Sequence, residues 1–394
     1  MFSEERGILS PMRLPVPPLQ PLGRLHEYSN YHRIANCACR LRLLFVTFPY
    51  VIYFRARYTR MQIAKWALTA ASLPIAFLSL TSCSSPAHEP TEKYILVSSN
   101  IKLPYWQTAL AGLQHAAAEM KVTSDIAGPD TYDAKAEHDE FRRAVAQKPS
   151  GILVSAADAA VMTPDINAAI EQGIPVLTMD SDAPDSKRLF FVGTDNYNVG
   201  VLGGHLVSKL LNGKGNVVIF TIPSQPNLKD RLRGYQDIFS ERNGAIKVLD
   251  VVDMKGDPTV AFDRTKQMLD NKAKVDAFVC LEAIACPEVG EVVNRQNMKG
   301  KVTIVAMDTD QRTIDWIQKG IISATIAQKP WTMGYYGAKL LDDIHHHRPA
   351  QLGADWSQNP QSLFPSFVDT GSFVVDKDSV GAFVLANKAA TGGQ

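Results

Sequence analysis

The chain has 394 residues, a formal net charge of +1, 45% hydrophobic and 21% charged residues. This is ordinary globular usage, which argues against a disordered, collagen-like or polytopic membrane protein, and the length predicts two domains or lobes at roughly 100–200 residues each. The neutral total hides a contrast: residues 1–60 carry nine Arg and three Glu without Lys or Asp, whereas the body from Ser84 has 31 basic against 37 acidic residues. An acidic body argues against nucleic acid as a partner.

Residues 1–60 show clustered prolines (Pro15, Pro17, Pro18, Pro21) and no helical or strand period. Their apolar run Leu43–Phe54 is too short to span a bilayer and contains Pro49. We expect this segment to be upstream sequence misassigned to the protein, with Met61 as the true start. Residues 61–83 read as a secretory signal: Lys65 in a short n-region, an apolar stretch from Trp66 to Leu80, then small residues. The ending Leu80-Thr81-Ser82-Cys83 is similar to a bacterial lipobox, which makes Cys83 the expected lipidation site and membrane anchor. Residues 84–93 are a polar, Pro-containing tether. Cys280 and Cys286, six apart at a strand end, read as small buried residues more than as a disulfide.

From Tyr94 short β-branched runs alternate with helical periods. Strands are expected at Tyr94–Asn100, Gly151–Ala156, Pro175–Asp180, Leu189–Asp195, Asn216–Ile222, Ala277–Glu282, Val302–Asp308 and Ser323–Gln328. Weaker ones fall at Val122–Ala127 and Ile246–Asp253, and Trp106–Met120 is a typical helical stretch. The alternation predicts an α/β fold with parallel sheets covered on both faces. About ten strands divide best into two Rossmann-like lobes with a boundary near Asp195. Lobe one is expected over 94–194, completed by about 329–358, and lobe two over 195–328, completed by about 359–394.

Polar residues end these strands: Ser98, Ser99 and Asn100, then Asp180, Asp195, Glu282, Asp308 and Gln328. In open α/β sheets ligands bind beyond that edge, so the series predicts a cleft lined with hydrogen-bonding groups. Catalytic motifs are lacking. Asn212-Gly213-Lys214-Gly215-Asn216 precedes a strand and reads as a helix-ending loop, not a phosphate cradle. Gly200, Gly203 and Gly204 read as close helix packing. His345, His346 and His347 read as a polar helix end, because adjacent helix positions point apart; no metal or cofactor is expected.

The body from Tyr94 to His346 resembles the type I periplasmic sugar-binding proteins of the ribose-binding-like group. Leu103-Pro104-Tyr105-Trp106 is like the family's Asn-Pro-aromatic-aromatic helix start, and Ile174 to Asp180 is like its Ile-Pro-Val-x-x-x-Asp strand. Val192 to Asn196 resembles the crossing into lobe two, and Arg231-Leu232-Arg233-Gly234-Tyr235 an Arg-x-x-Gly-aromatic helix start. Val305 to Asp308 and Ala324 to Gln328 resemble the last two strands.

The resemblance implies two lobes joined by three crossings, closing on a sugar and docking on an ABC permease. It implies sugar-face contacts from Tyr105 and Trp106, hydroxyl acceptors at Asp180 and Asp308, a donor at Arg231, an amide contact from Gln328 and a minor donor at Ser99. Asp195 is expected to cap or tie the hinge. Departures are Leu103 for the family's Asn, Ser181 for an Arg, and Glu282 for an Asn. Three acids against one Arg raise one another's pKa values and call for a donor-rich polyol or sugar other than plain ribose, with a ligand carrying an amine or other cation as a variant of that reading. The expected protein is a monomeric, exported, lipid-anchored solute-binding protein and not an enzyme. The alternative is a sensor whose closed form docks on a membrane histidine kinase. A repressor of the lactose-repressor type, which shares this body, would need a DNA-binding headpiece where the signal peptide stands.

Overall fold

The computed structural model describes residues 88–354, 356, 359 and 361–390. The expected readings of 1–60, of the signal segment and of Cys83 lie outside these residues, as do 84–87 of the tether. The alternation seen in the sequence becomes β1 (Lys93–Val97), α1 (Pro104–Met120), β2 (Thr123–Ala127), α2 (Ala134–Ala146), β3 (Gly151–Val154), α3 (Ala159–Glu171), β4 (Val176–Met179) and β5 (Phe191–Gly193). It continues as α4 (Asn196–Leu210), β6 (Gly215–Thr221), α5 (Pro226–Ser240), β7 (Ile246–Asp253), α6 (Pro258–Asp270), β8 (Ala277–Cys280), α7 (Ala285–Arg295), β9 (Thr303–Met307), α8 (Gln311–Gln318) and β10 (Ala324–Ala327). Then come α9 (Pro330–His346), β11 (Phe367–Asp369), β12 (Phe373–Asp376) and α10 (Val380–Ala390).

The strands form two six-stranded sheets, ordered β11-β5-β4-β3-β1-β2 and β12-β10-β9-β8-β6-β7. All pairings are parallel except β10 with β12. Each lobe has its own apolar core. Strands such as Ile152-Leu153-Val154 and Phe278-Val279 are buried on both faces, as sheets covered by helices require. Helix starts follow local chemistry: Asp133, Asp158, Asp257 and Asp310 accept from first-turn amides, and proline occupies the first turn of α1, α5, α6 and α9.

The chain passes between the sheets three times, after β5, after β10 and between β11 and β12. The last passage revises the expected boundary. β11 pairs with β5, so lobe one is completed through Asp369 and not to about 358. β11 and β12 were absent from the expected strands; they are edge strands of only three and four residues, and apart from Val375 they are not buried, so their apolar runs are too short to stand out.

One further expectation is corrected and another extended. Cys280 and Cys286 are joined in a disulfide: the turn between β8 and α7 folds back and sets their Cα atoms 5.7 Å apart, within bridging range. His345, His346 and His347 do diverge, but they are more than a polar helix end. His347 bonds its own helix at Asp343, whereas His346 meets Glu92, 254 residues away in the chain.

Candidate ligand-binding site

The C-terminal ends of the strands deliver their polar residues into the space between the lobes. Ser99, Tyr105, Trp106 and Asp180 from lobe one share one cleft with Arg231, Glu282, Asp308 and Gln328 from lobe two and its crossing. All eight expected site residues are thus brought together. Asp180 and Asp308 stand just past β4 and β9 with φ of 64° and 66°, the left-handed backbone that non-glycine residues adopt at a cost. A left-handed residue therefore ends an inner strand of each lobe with a carboxylate in the cleft.

Arg231 is 2% exposed and organises lobe two. Its Nε donates to Asn196 Oδ1 at 2.8 Å, Nη1 to the Leu281 carbonyl at 2.7 Å and Nη2 to Gln328 Oε1 at 3.0 Å. Gln328 Nε2 in turn donates to Asp308 Oδ1 at 2.9 Å. No carboxylate among the described residues lies within 4 Å of Arg231, so it is not a plain structural ion pair. The arrangement depends on glycine. A Cβ on Gly200 would fall 2.1 Å from the Arg231 carbonyl oxygen, so α4 and α5 pack backbone to backbone and Asn196 reaches the guanidinium.

In lobe one the Tyr105 hydroxyl donates to Asp180 Oδ1 at 2.7 Å, and the Tyr105 and Trp106 rings meet edge to face with centroids 5.1 Å apart. Trp106 both lines the cleft and belongs to the lobe-one core. Asp195 caps α4, accepting from the Asn198 amide at 3.0 Å, which bears out the first of its two expected roles.

Two side chains join the lobes across the cleft. Asn227 Nδ2, on α5, donates to Asp180 Oδ2 at 3.2 Å. Tyr132, in the loop after β2, is hydrogen-bonded with Ser224 and Gln225, and its ring covers Gly256, where a Cβ would lie 2.3 Å from Cδ1. Sequence reasoning missed both. Asn227 carried a usable signal, since it stands one helical turn before Arg231 and so shares its face. Tyr132 carried none, being one aromatic in a polar loop.

Burial pushes Asp308 up to about 7 and Glu282 up to about 7, and it raises Asp180 as well, while Arg231 opposes all three shifts. Desolvation and not mutual repulsion leads, which revises the expected cause. Glu282 is also less free than expected: its oxygens accept from the Ile284 and Ala285 amides at 2.7 and 3.0 Å, holding the turn into α7. Burial and the neighbouring carboxylates hold the Tyr105 hydroxyl protonated, so it remains a donor.

A family model described as a periplasmic binding protein domain matches residues 94–347. The chain belongs to this family. This periplasmic binding protein is 33% identical to a sugar ABC transporter (sugar-binding protein) from Bacillus halodurans. The match covers 74% of this chain and 99% of that one, at a TM-score of 0.64. It is 34% identical to AraP, an arabinose binding protein from Geobacillus stearothermophilus, over 74% of this chain and 99% of that one, at a TM-score of 0.62. It is also 24% identical over 261 residues to the D-allose-binding periplasmic protein of Escherichia coli strain K12, which is 64% of this chain and 84% of that protein. Like its relatives, the periplasmic binding protein binds a solute and is not an enzyme.

Proposed function

We propose that the protein captures a neutral, hydroxyl-rich monosaccharide between its lobes and presents the closed form to an ABC permease. The observation that carries this reading is the pair Asp180 and Asp308. They are two buried carboxylates on opposite lobes with matching left-handed backbone, facing one cleft beside Arg231 and two aromatic rings. Carboxylates accept strongly from sugar hydroxyls, a guanidinium donates to hydroxyl or ring oxygens, and aromatic faces suit C–H surfaces. The relatives named for D-allose, for arabinose and for sugar transport support the same ligand class. The amine-bearing variant is weaker than the acid count suggested, because Glu282 is engaged by its own loop.

Export and lipid anchoring at Cys83 belong to this proposal. Their support is the lipobox-like Leu80 to Cys83 and a disulfide suited to an oxidising compartment. No helix among the described residues is long and apolar enough to cross a membrane. The deciding experiment is a thermal-shift and calorimetric screen of pentoses, hexoses, polyols and amino sugars. A neutral pentose or hexose should raise the melting temperature, and Arg231→Ala should abolish the shift. Preference for an amino sugar, or a response that Arg231→Ala leaves intact, would overturn the reading. Labelling with radioactive palmitate, lost in Cys83→Ala, tests the anchor.

A further inference from the structure

A second cluster lies at the other edge of lobe one, where β1 begins and α9 ends. His88 and Glu92 stand just before β1, and Asp342 and His346 are one turn apart at the end of α9. The metal-ligating atoms of these four side chains all lie within 4.8 Å of one another. His88 Nε2 is 3.1 Å from both oxygens of Asp342. His346 Nε2 is 3.2 Å from Glu92 Oε2 and 3.6 Å from Asp342 Oδ1.

Four donors about 2.0–2.2 Å from a tetrahedral zinc ion are spaced about 3.3–3.6 Å from one another. The observed separations bracket that spacing. Two imidazoles and two carboxylates are a zinc-type ligand set, and two negative charges neutralise a dication. The carboxylates are also oriented from outside, as the acids of built metal sites are. The Tyr94 hydroxyl donates to Asp342 Oδ1 at 2.9 Å, and the Glu89 amide donates to Glu92 Oε1 at 2.7 Å, which leaves Oε2 toward His346. Two separate histidine–carboxylate bonds would explain each pair, but they do not require all four groups, from two segments 254 residues apart, to converge on one point.

We propose that His88, Glu92, Asp342 and His346 form a tetrahedral divalent-metal site of zinc type that clips the segment leading into β1 to the end of α9. The site is independent of the sugar cleft, which lies past the opposite ends of the strands. It acts as a staple: both segments must be in place before four ligands are available, so bound metal stabilises the folded chain.

The test uses the full chain, stripped with EDTA, dialysed and titrated with zinc chloride by calorimetry. Metal content is read after gel filtration, and cobalt(II) serves as a spectroscopic probe. One zinc per chain, a raised melting temperature and the intense visible bands of four-coordinate cobalt are expected. His346→Ala and His88→Gln should each weaken zinc at least about a hundredfold, while His345→Ala and His347→Ala should not. Gln at position 88 can still hydrogen-bond Asp342, so metal-free stability should hold in that variant even if His346→Ala folds poorly. Failure of the wild type to retain zinc, or zinc affinity unchanged in His88→Gln, would overturn the proposal.

Discussion

Asp308→Asn should stabilise the ligand-free protein at alkaline pH while weakening its ligand. Burial lifts the Asp308 carboxyl from an ordinary 3.8 to about 7. Below pH 3.8 both folded and unfolded chains hold the proton and the residue contributes nothing. Between 3.8 and 7 the unfolded chain releases it and the folded chain keeps it, so stability falls as pH rises; above 7 the loss is constant. At about 1.4 kcal/mol per pKa unit, the full penalty is on the order of 4 kcal/mol. Asparagine has nearly the same shape, keeps an oxygen for Gln328 Nε2 and tolerates the φ of 66° that this position requires. Urea unfolding of both proteins without ligand should show equal stability near pH 4 and a growing advantage for the variant, reaching several kcal/mol by pH 8. Calorimetry with the cognate sugar at pH 8 should show affinity about 10–100-fold weaker, the worth of a hydrogen bond to a charged acceptor. A stability difference independent of pH, or a variant less stable at pH 8, would refute the argument that this site holds a desolvated carboxylate for its ligand.

Other perturbations probe closure and scaffold. Asn227→Ala removes a hydrogen bond between the lobes, worth about 1 kcal/mol, and should weaken sugar binding about fivefold with a larger radius of gyration at subsaturating ligand by small-angle scattering. Gly256→Ala places a Cβ 2.3 Å from the Tyr132 ring at a φ of +79°. It should weaken binding more than tenfold while circular dichroism remains that of folded lobes. Replacing Cys280 and Cys286 with serine opens a loop closed over a sequence separation of 6 and should remove about 2 kcal/mol from unfolding stability, read by urea titration.

How much was legible follows from where the information sits. The parallel strands are buried on both faces, so β1, β3, β4, β8, β9 and β10 appear as largely apolar runs, broken inside only by the buried Thr178 and Thr325, and their polar ends mark the cleft edge directly. Asp180, Asp308 and Gln328 are visible for that reason. β11 and β12 were not, because they are edge strands of three and four residues, too short for a pattern and, apart from Val375, not buried. The Cys280–Cys286 bridge depends on a turn whose closure the spacing alone does not fix. Tyr132 and the His88 to His346 cluster depend on tertiary convergence, which leaves no local pattern to read.

The free valences of the cleft also limit what can fill it. A carboxylate offers about four acceptor sites. Tyr105 and Asn227 occupy one oxygen each of Asp180, and Gln328 uses one site on Asp308. Arg231 uses three of its five N–H donors on Asn196, Leu281 and Gln328, so its remaining capacity is two. The cleft therefore retains more acceptor than donor capacity, and a ligand matches it by presenting several hydroxyl protons and few bare oxygens. A deoxy analogue lacking the hydroxyl that meets Asp308 leaves a buried carboxylate site unpaired. It should bind about 10–100-fold more weakly than the parent sugar, whereas loss of a hydroxyl that meets no carboxylate should matter little. Calorimetry across a series of monodeoxy sugars tests this, and in Asp308→Asn the large penalty should shrink for one analogue only. Uniform penalties across the series, or one unchanged by Asp308→Asn, would place recognition elsewhere in the cleft.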